Sequence, residues 1–184
     1  MSGDRYLIQD QYAIHFLTFT VVDWIDVFTR KDYKYIITDS LNHCVKEKGL
    51  ECFAWVIMSN HIHLVARNNP PFKMSDFMRD FKKFTSKKIV STIEEIGESR
   101  RVWLLHKFSY AAKNTGRAEK YKLWQDTNHP ICLEGRKDWF LQRIDYTHQN
   151  PVRQMIVANA SDYLFSSAGD YEGRQGLVKV SIER

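Results

Sequence analysis

Two short stretches of this 184-residue chain hold side chains whose types and spacing suit metal-assisted phosphate chemistry. In Ser59-Asn60-His61-Ile62-His63-Leu64-Val65, one apolar residue separates His61 from His63. On a strand, residues two apart project from the same face, so both imidazoles can converge on one divalent ion while Ile62 packs into the opposite layer. Two histidines leave coordination positions open for a phosphate oxygen, and the ion would offset charge developing there. His-x-His is equally compatible with two half-buried polar residues near a hairpin. The second stretch is Asp145-Tyr146-Thr147-His148-Gln149-Asn150-Pro151. Tyr146 and Asn150, four apart, share a helix face, which sets a phenol about one turn from an amide oxygen. A phenolate is a covalent nucleophile, and Asn150 offers a neutral third ligand. A core tyrosine and a helix-terminating asparagine are the plainer alternative.

The elements that must position these groups follow from hydrophobic pattern. Residues 12–22, rich in aromatic and β-branched side chains, predict a first strand. Tyr35, Ile36, Leu41, Cys44 and Val45 recur at helical spacing and predict a helix over 32–48, capped by Gly49. Residues 50–58 and 61–66 read as a hairpin with its turn at Ser59-Asn60. A helix capped by Ser75 follows, with Phe77, Phe81, Phe84, Ile89, Ile93 and Ile96 expected inward. Residues 100–112 predict a short helix, 121–133 contain a last strand, and 137–149 form a final helix with Phe140, Leu141 and Ile144 inward, stopped at Asn150-Pro151. The β-α-β-β-α-β order predicts an α+β fold: a ferredoxin-like (RRM-like) antiparallel sheet with helices packed on one face, plus a C-terminal helix bearing Tyr146. The length suits a single domain over 1–184, with an elaborated connector at 98–120 and a tail at 151–184.

Composition excludes wholesale disorder, collagen and coiled coil: 43% of residues are hydrophobic and 27% charged. No run approaches the roughly 18 apolar residues of a membrane span, and residues 1–12 are too polar for a secretory leader. Cys44, Cys52 and Cys132 form neither a disulfide framework nor a CxxC pattern, so a cytoplasmic protein with small core cysteines is expected. The net charge of +5 is concentrated: residues 67–117 hold twelve Lys and Arg against five Asp and Glu, net +7, and the remainder is −2. Such a surface favours a polyanion, because displaced phosphate counterions drive binding; a solvated helix face is the plainer reading. Arg79, Lys82, Lys83 and Lys87 recur at spacings of one, three and four along the 75–96 helix and predict a cationic stripe.

The two motifs together resemble a known family. Ser59 to Val65 looks like the His-hydrophobic-His signature of HUH-superfamily single-tyrosine transposases, and Asp145-Tyr146-Thr147-His148-Gln149-Asn150-Pro151-Val152-Arg153 looks like their tyrosine helix. The resemblance runs over roughly residues 12–171 and is greatest to the REP-associated branch. It implies a metal-dependent endonuclease and strand transferase acting on hairpin-forming single-stranded DNA. His61 and His63 would bind Mg²⁺ or Mn²⁺, with Asn150 as third ligand and Gln149 or His148 as substitutes in another register. Tyr146 would attack a phosphate to give a 5′-phosphotyrosine. DNA would lie on Arg79, Lys82, Lys83 and Lys87, with Lys88, Arg100 and Arg101 as further candidates, and exposed aromatics could stack unpaired bases. Relatives differ between dimers and monomers, which leaves a homodimer and a monomer both open. No Walker or Rossmann phosphate loop is present. The other classes considered are a noncatalytic nucleic-acid-binding module, although no RNP consensus is present, and a zinc hydrolase using His61, His63 and His129 or His148.

Overall fold

The computed structural model describes residues 8–116 and 120–182. Four antiparallel strands, β1 (His15–Thr20), β2 (Leu50–Ile57), β3 (His61–Asn68) and β4 (Ile131–Cys132), lie in the order β2-β3-β1-β4. That is the order a split β-α-β pair of repeats gives. Helices α1 (Lys31–Glu47) and α2 (Met74–Glu95) cover one face, while α4 (Lys137–Arg153) crosses the other. Alternation along the strands sorts the two layers. Leu17, Phe19, Ile62 and Leu64 face α1 and α2, where Tyr33, Ile37, Leu41, Phe77, Phe81, Ile89 and Ile93 complete the main core. Phe16, Phe53 and Val65 face α4 and pack against Phe140 and Ile144.

Irregular chain covers the β2 edge of the sheet and extends pairing along β1 beyond the short β4. Ile57 and Trp55 donate to and accept from the backbone of Phe165 and Ser167 along β2, and Gln125 N–H donates to the Thr20 carbonyl beside β1. The covered β2 edge leaves no long row of unpaired amides for another strand to join. Between α2 and β4 stands α3 (Arg101–Thr115), inserted within the expected connector, with Leu104 and Phe108 buried and Val102 exposed.

Several expectations shift for identifiable reasons. Gly49 does end α1, at φ +63°, and an added Cβ would stand 2.7 Å from the Phe72 ring. Ser75 is not the cap of α2: Gln11, distant in sequence, accepts from the Ser75 and Met74 amides through its side-chain and backbone oxygens. Phe84 is exposed, because Thr85 takes the buried slot one turn after Phe81, where its hydroxyl accepts from the Trp124 indole N–H at 2.9 Å. Leu141 is likewise exposed at the flank of α4. Pro151 does not stop α4; it sits buried in the last turn, and the helix runs on to Arg153 before the Gln154 amide donates to the Asn150 carbonyl. Cys44 and Cys52 are buried, but Cys132 is exposed.

Candidate active site

β3 and α4 meet on the sheet face opposite α1 and α2. Strand alternation puts His61 and His63 on this face, ring centroids 4.7 Å apart, with Ile62 in the other layer. Across the neighbouring strand Thr18 pairs with His63, and its Oγ1 lies 3.0 Å from His63 Nδ1. Asn60 Oδ1 lies 2.7 Å from His61 Nδ1, and the amide's Nδ2 donates to the Trp24 carbonyl at 3.2 Å. That second bond fixes the amide so that its oxygen faces His61, which must donate through Nδ1. In the tautomer where His63 likewise donates Nδ1–H to Thr18, both rings keep the Nε2 lone pair for a cation, the arrangement expected of metal-ligating histidines.

Burial supports the same protonation state. It pushes the His61 imidazole below its ordinary pKa and takes His63 down to about 3, with His61 and the Arg143 guanidinium adding to the effect. Both rings are therefore neutral near pH 7.

Helix α4 brings the tyrosine to this pair. Arg143, Tyr146, Asn150 and Arg153 fall at offsets of 0, 3, 7 and 10, within about a quarter of the helix circumference. The Tyr146 ring lies 5.4 Å from His63, edge to face, and 5.9 Å from Phe16. The guanidiniums of Arg153 and Arg143 stand 5.0 and 5.8 Å from the Tyr146 ring centre, and Arg143 also covers Phe16 at 5.0 Å. Asn150 is buried one turn beyond, its Nδ2 donating to the Tyr146 carbonyl, so Oδ1 is the atom it can offer a cation. His148 points elsewhere: its Nε2 is 2.8 Å from Ser167 Oγ and its ring packs on Tyr171. Among the described residues, no group of three or more His, Cys, Asp or Glu is placed to hold a metal. The three-histidine zinc arrangement is thus not formed.

Residues 9–125 match the family described as IS200-like transposase, a span that includes His61 and His63 and ends before α4. The chain belongs to that family. A transposase cuts and rejoins DNA, so the protein is an enzyme of strand nicking and joining. The solved structure of a REP-associated tyrosine transposase bound to a REP hairpin shares the fold, with TM-score 0.63 and 17% identity over 98% of this chain and 92% of that one. A candidate transposase from Deinococcus radiodurans gives TM-score 0.45 and 15% identity over 79% of this chain and 96% of that one. No curated protein matches the chain.

The cationic residues of this transposase are not gathered at the histidines. Arg79, Lys82, Lys83 and Lys87 line a groove of about 1160 Å³ between α2 and residues 120–128, which adds Lys120 and Lys122. It lies on the α2 side of the sheet, the side away from Tyr146. Lys82 is largely withdrawn from that groove. Its Nζ donates to the Gln125 carbonyl at 2.7 Å, and burial lowers its pKa to about 8. Arg79 is exposed but paired with Asp76 and Asp80, both at 2.8 Å. Lys88 faces a second groove, between α1 and α2, and Arg101 is exposed at the start of α3. Arg100 is held by Asp26 at 2.8 Å and by Glu98. The cations nearest the tyrosine are instead Arg143 and Arg153. Arg153 stood inside the motif, and Arg143 is three residues before Tyr146; helical spacing alone could have placed both on the tyrosine face.

No described helix is long and apolar enough to cross a membrane.

Proposed function

We propose that the protein nicks and rejoins single-stranded, hairpin-forming DNA through a covalent link to Tyr146. One observation carries this reading: the Tyr146 ring from α4 lies 5.4 Å, centroid to centroid, from His63 of the β3 imidazole pair within one chain. The Tyr146 oxygen attacks the scissile phosphorus, a Tyr–O–P bond forms to the 5′ side, and the P–O3′ bond breaks. The phenol proton passes to solvent, and the departing 3′ oxygen takes one up to become a hydroxyl. A later DNA 3′-hydroxyl attacking the same phosphorus reverses these bonds and frees Tyr146. Neither direction consumes a nucleotide cofactor, because the phosphotyrosine retains the phosphodiester energy.

The residues present can hold a divalent ion, and the oxygen donors among its ligands, Asn150 Oδ1 and the phosphate itself, are those that suit Mg²⁺ or Mn²⁺. His61 and His63 supply neutral nitrogen, Asn150 Oδ1 supplies neutral oxygen, and open positions remain. Such an ion, when bound, would polarise the scissile phosphate and offset charge on the leaving oxygen. The chain's own residues do the rest. Arg143 and Arg153 hold the phosphate against Tyr146 and balance its charge, and Asn60 and Thr18 fix the ring orientations. The α2 groove, through Lys83, Lys87 and Lys120, holds backbone phosphates of the flanking DNA without reading sequence.

The test is a labelled hairpin oligonucleotide with a single-stranded flank. A denaturant-resistant protein–DNA adduct is expected with Mg²⁺ or Mn²⁺ and not with chelator, and His61→Ala should lose it. Binding without any adduct under all these conditions would leave a noncatalytic binding module.

A further inference from the structure

We propose that the Trp24 indole is a stacking platform for an unpaired nucleobase beside the scissile phosphate; this rests on the reading of the His61–His63–Tyr146 site given above. Trp24 follows the end of β1 and stands beside His61, the two ring centroids 6.4 Å apart at an interplanar angle of 73°. It is 61% exposed, the most exposed of the five tryptophans, whereas Trp55 and Trp124 are buried. An indole left in water forgoes the burial that favours large aromatic side chains.

The backbone carries a second cost. Asp23 and Trp24 are consecutive non-glycine residues in the left-handed region, at φ 53° and 54°. A side chain there is strained, and such residues persist only where the surroundings over-determine them, often at ligand-binding sites.

The surroundings do over-determine this turn. The Trp24 amide donates to the Val21 carbonyl at 3.1 Å, and the Trp24 carbonyl accepts from Asn60 Nδ2. Lys107 of α3 pairs with the Asp23 carboxylate at 3.4 Å, and Arg100, just before α3, holds the Asp26 carboxylate at 2.8 Å. The inserted helix therefore braces the loop that presents the indole. Asn60 joins that loop to the histidine motif, because the amide that holds the Trp24 carbonyl also accepts from His61 Nδ1. Indole and imidazole are thus fixed as one unit. A phosphate held at the imidazole pair leaves its neighbouring base within reach of the indole. Stacking there tolerates any base, so Trp24 contributes affinity and alignment, not sequence choice. It is a binding residue beside the reacting phosphate and takes no part in the bond changes.

The test places 2-aminopurine in turn at each unpaired position flanking the cleaved bond and follows its fluorescence on binding to the Tyr146→Phe protein. Quenching is expected at one position adjacent to the bond. It should be lost with Trp24→Ala and largely kept with Trp24→Phe. In the Tyr146-containing protein, Trp24→Ala should weaken the single-stranded substrate about tenfold, through KM more than kcat. Trp24→Gly separates binding from folding: glycine relieves the left-handed strain, so the melting temperature should hold or rise while quenching disappears. Quenching and KM unchanged in Trp24→Ala would overturn the proposal, as would a variant whose only change is loss of a dimer. If Tyr146→Phe still forms the adduct, the reading of the site fails instead. If that variant forms none and Trp24→Ala behaves as wild type, only the indole's role falls.

Discussion

The inserted α3 brings with it a buried carboxylate whose removal tests whether the 98–120 segment is structural. The Glu98 side chain is 2% exposed; Oε2 accepts from the Tyr33 hydroxyl at 3.0 Å and from Arg30 Nε at 2.8 Å, and Oε1 accepts from the Arg100 amide at 3.0 Å. Glu98→Gln keeps the shape but has only one oxygen, so its NH₂ must face either the Arg100 amide or the Tyr33–Arg30 pair. Facing the amide, it leaves a buried N–H unpaired, at about 1–3 kcal/mol. The two guanidiniums are 38% and 32% exposed and regain water, so each contributes at most about 1 kcal/mol. We therefore expect a loss of about 2–4 kcal/mol, or roughly 5–15 °C in melting temperature for a chain of this size. The pH dependence has a fixed sign. Burial by itself would raise the Glu98 pKa, but the Arg100 amide, the Tyr33 hydroxyl and the two guanidiniums outweigh it and hold it below 4.5. Its stabilisation is thus complete above that value and is lost as pH falls through the folded pKa. Thermal and urea melts of both proteins between pH 7 and pH 3 should show a gap that is full at neutrality and narrows on acidification. A gap that is absent at pH 7, or that widens in acid, would refute the assignment.

Three further outcomes follow from the geometry. Arg143→Gln should slow adduct formation about 10–100-fold with a smaller effect on DNA affinity, as expected for loss of a charge-assisted contact to the reacting phosphate; single-turnover cleavage checks it. Replacing Lys83 and Lys87 together by Ala should lower affinity and reduce the slope of log K against log salt by about 0.7 per lost phosphate contact, and a slope equal to wild type would remove the α2 groove from the DNA path. Thr85→Val should cost about 1–3 kcal/mol in denaturant melts, because the Trp124 indole N–H would be left buried without its acceptor.

The parts of the site that sequence made legible are those governed by one element's own period. Strand alternation placed His61 and His63 on one face, helical spacing put Tyr146 and Asn150 on another, and element order gave the split sheet. What escaped depends on contacts between distant segments. Thr85, not Phe84, is buried because Trp124 needs an acceptor, and Gln11 caps α2 from far back in the chain. Pro151 is a helix breaker in isolation, yet the packed α4 continues past it and so carries Arg153 round to the tyrosine face. Pattern predicts a basic stripe on α2, but it cannot reveal that Lys82 is tied to the Gln125 carbonyl or that the stripe and the histidines lie on opposite sides of the sheet. Trp24 was hidden in a polar stretch whose left-handed turn is set by Asn60, Asp26 and α3.

The most direct measurement is peptide mapping of the protein after reaction with a cleavable hairpin oligonucleotide. The account expects nucleotide mass on one peptide, with the modification at Tyr146, and none in Tyr146→Phe although that variant still binds the DNA. Modification at another residue, or an undiminished adduct in Tyr146→Phe, would contradict it.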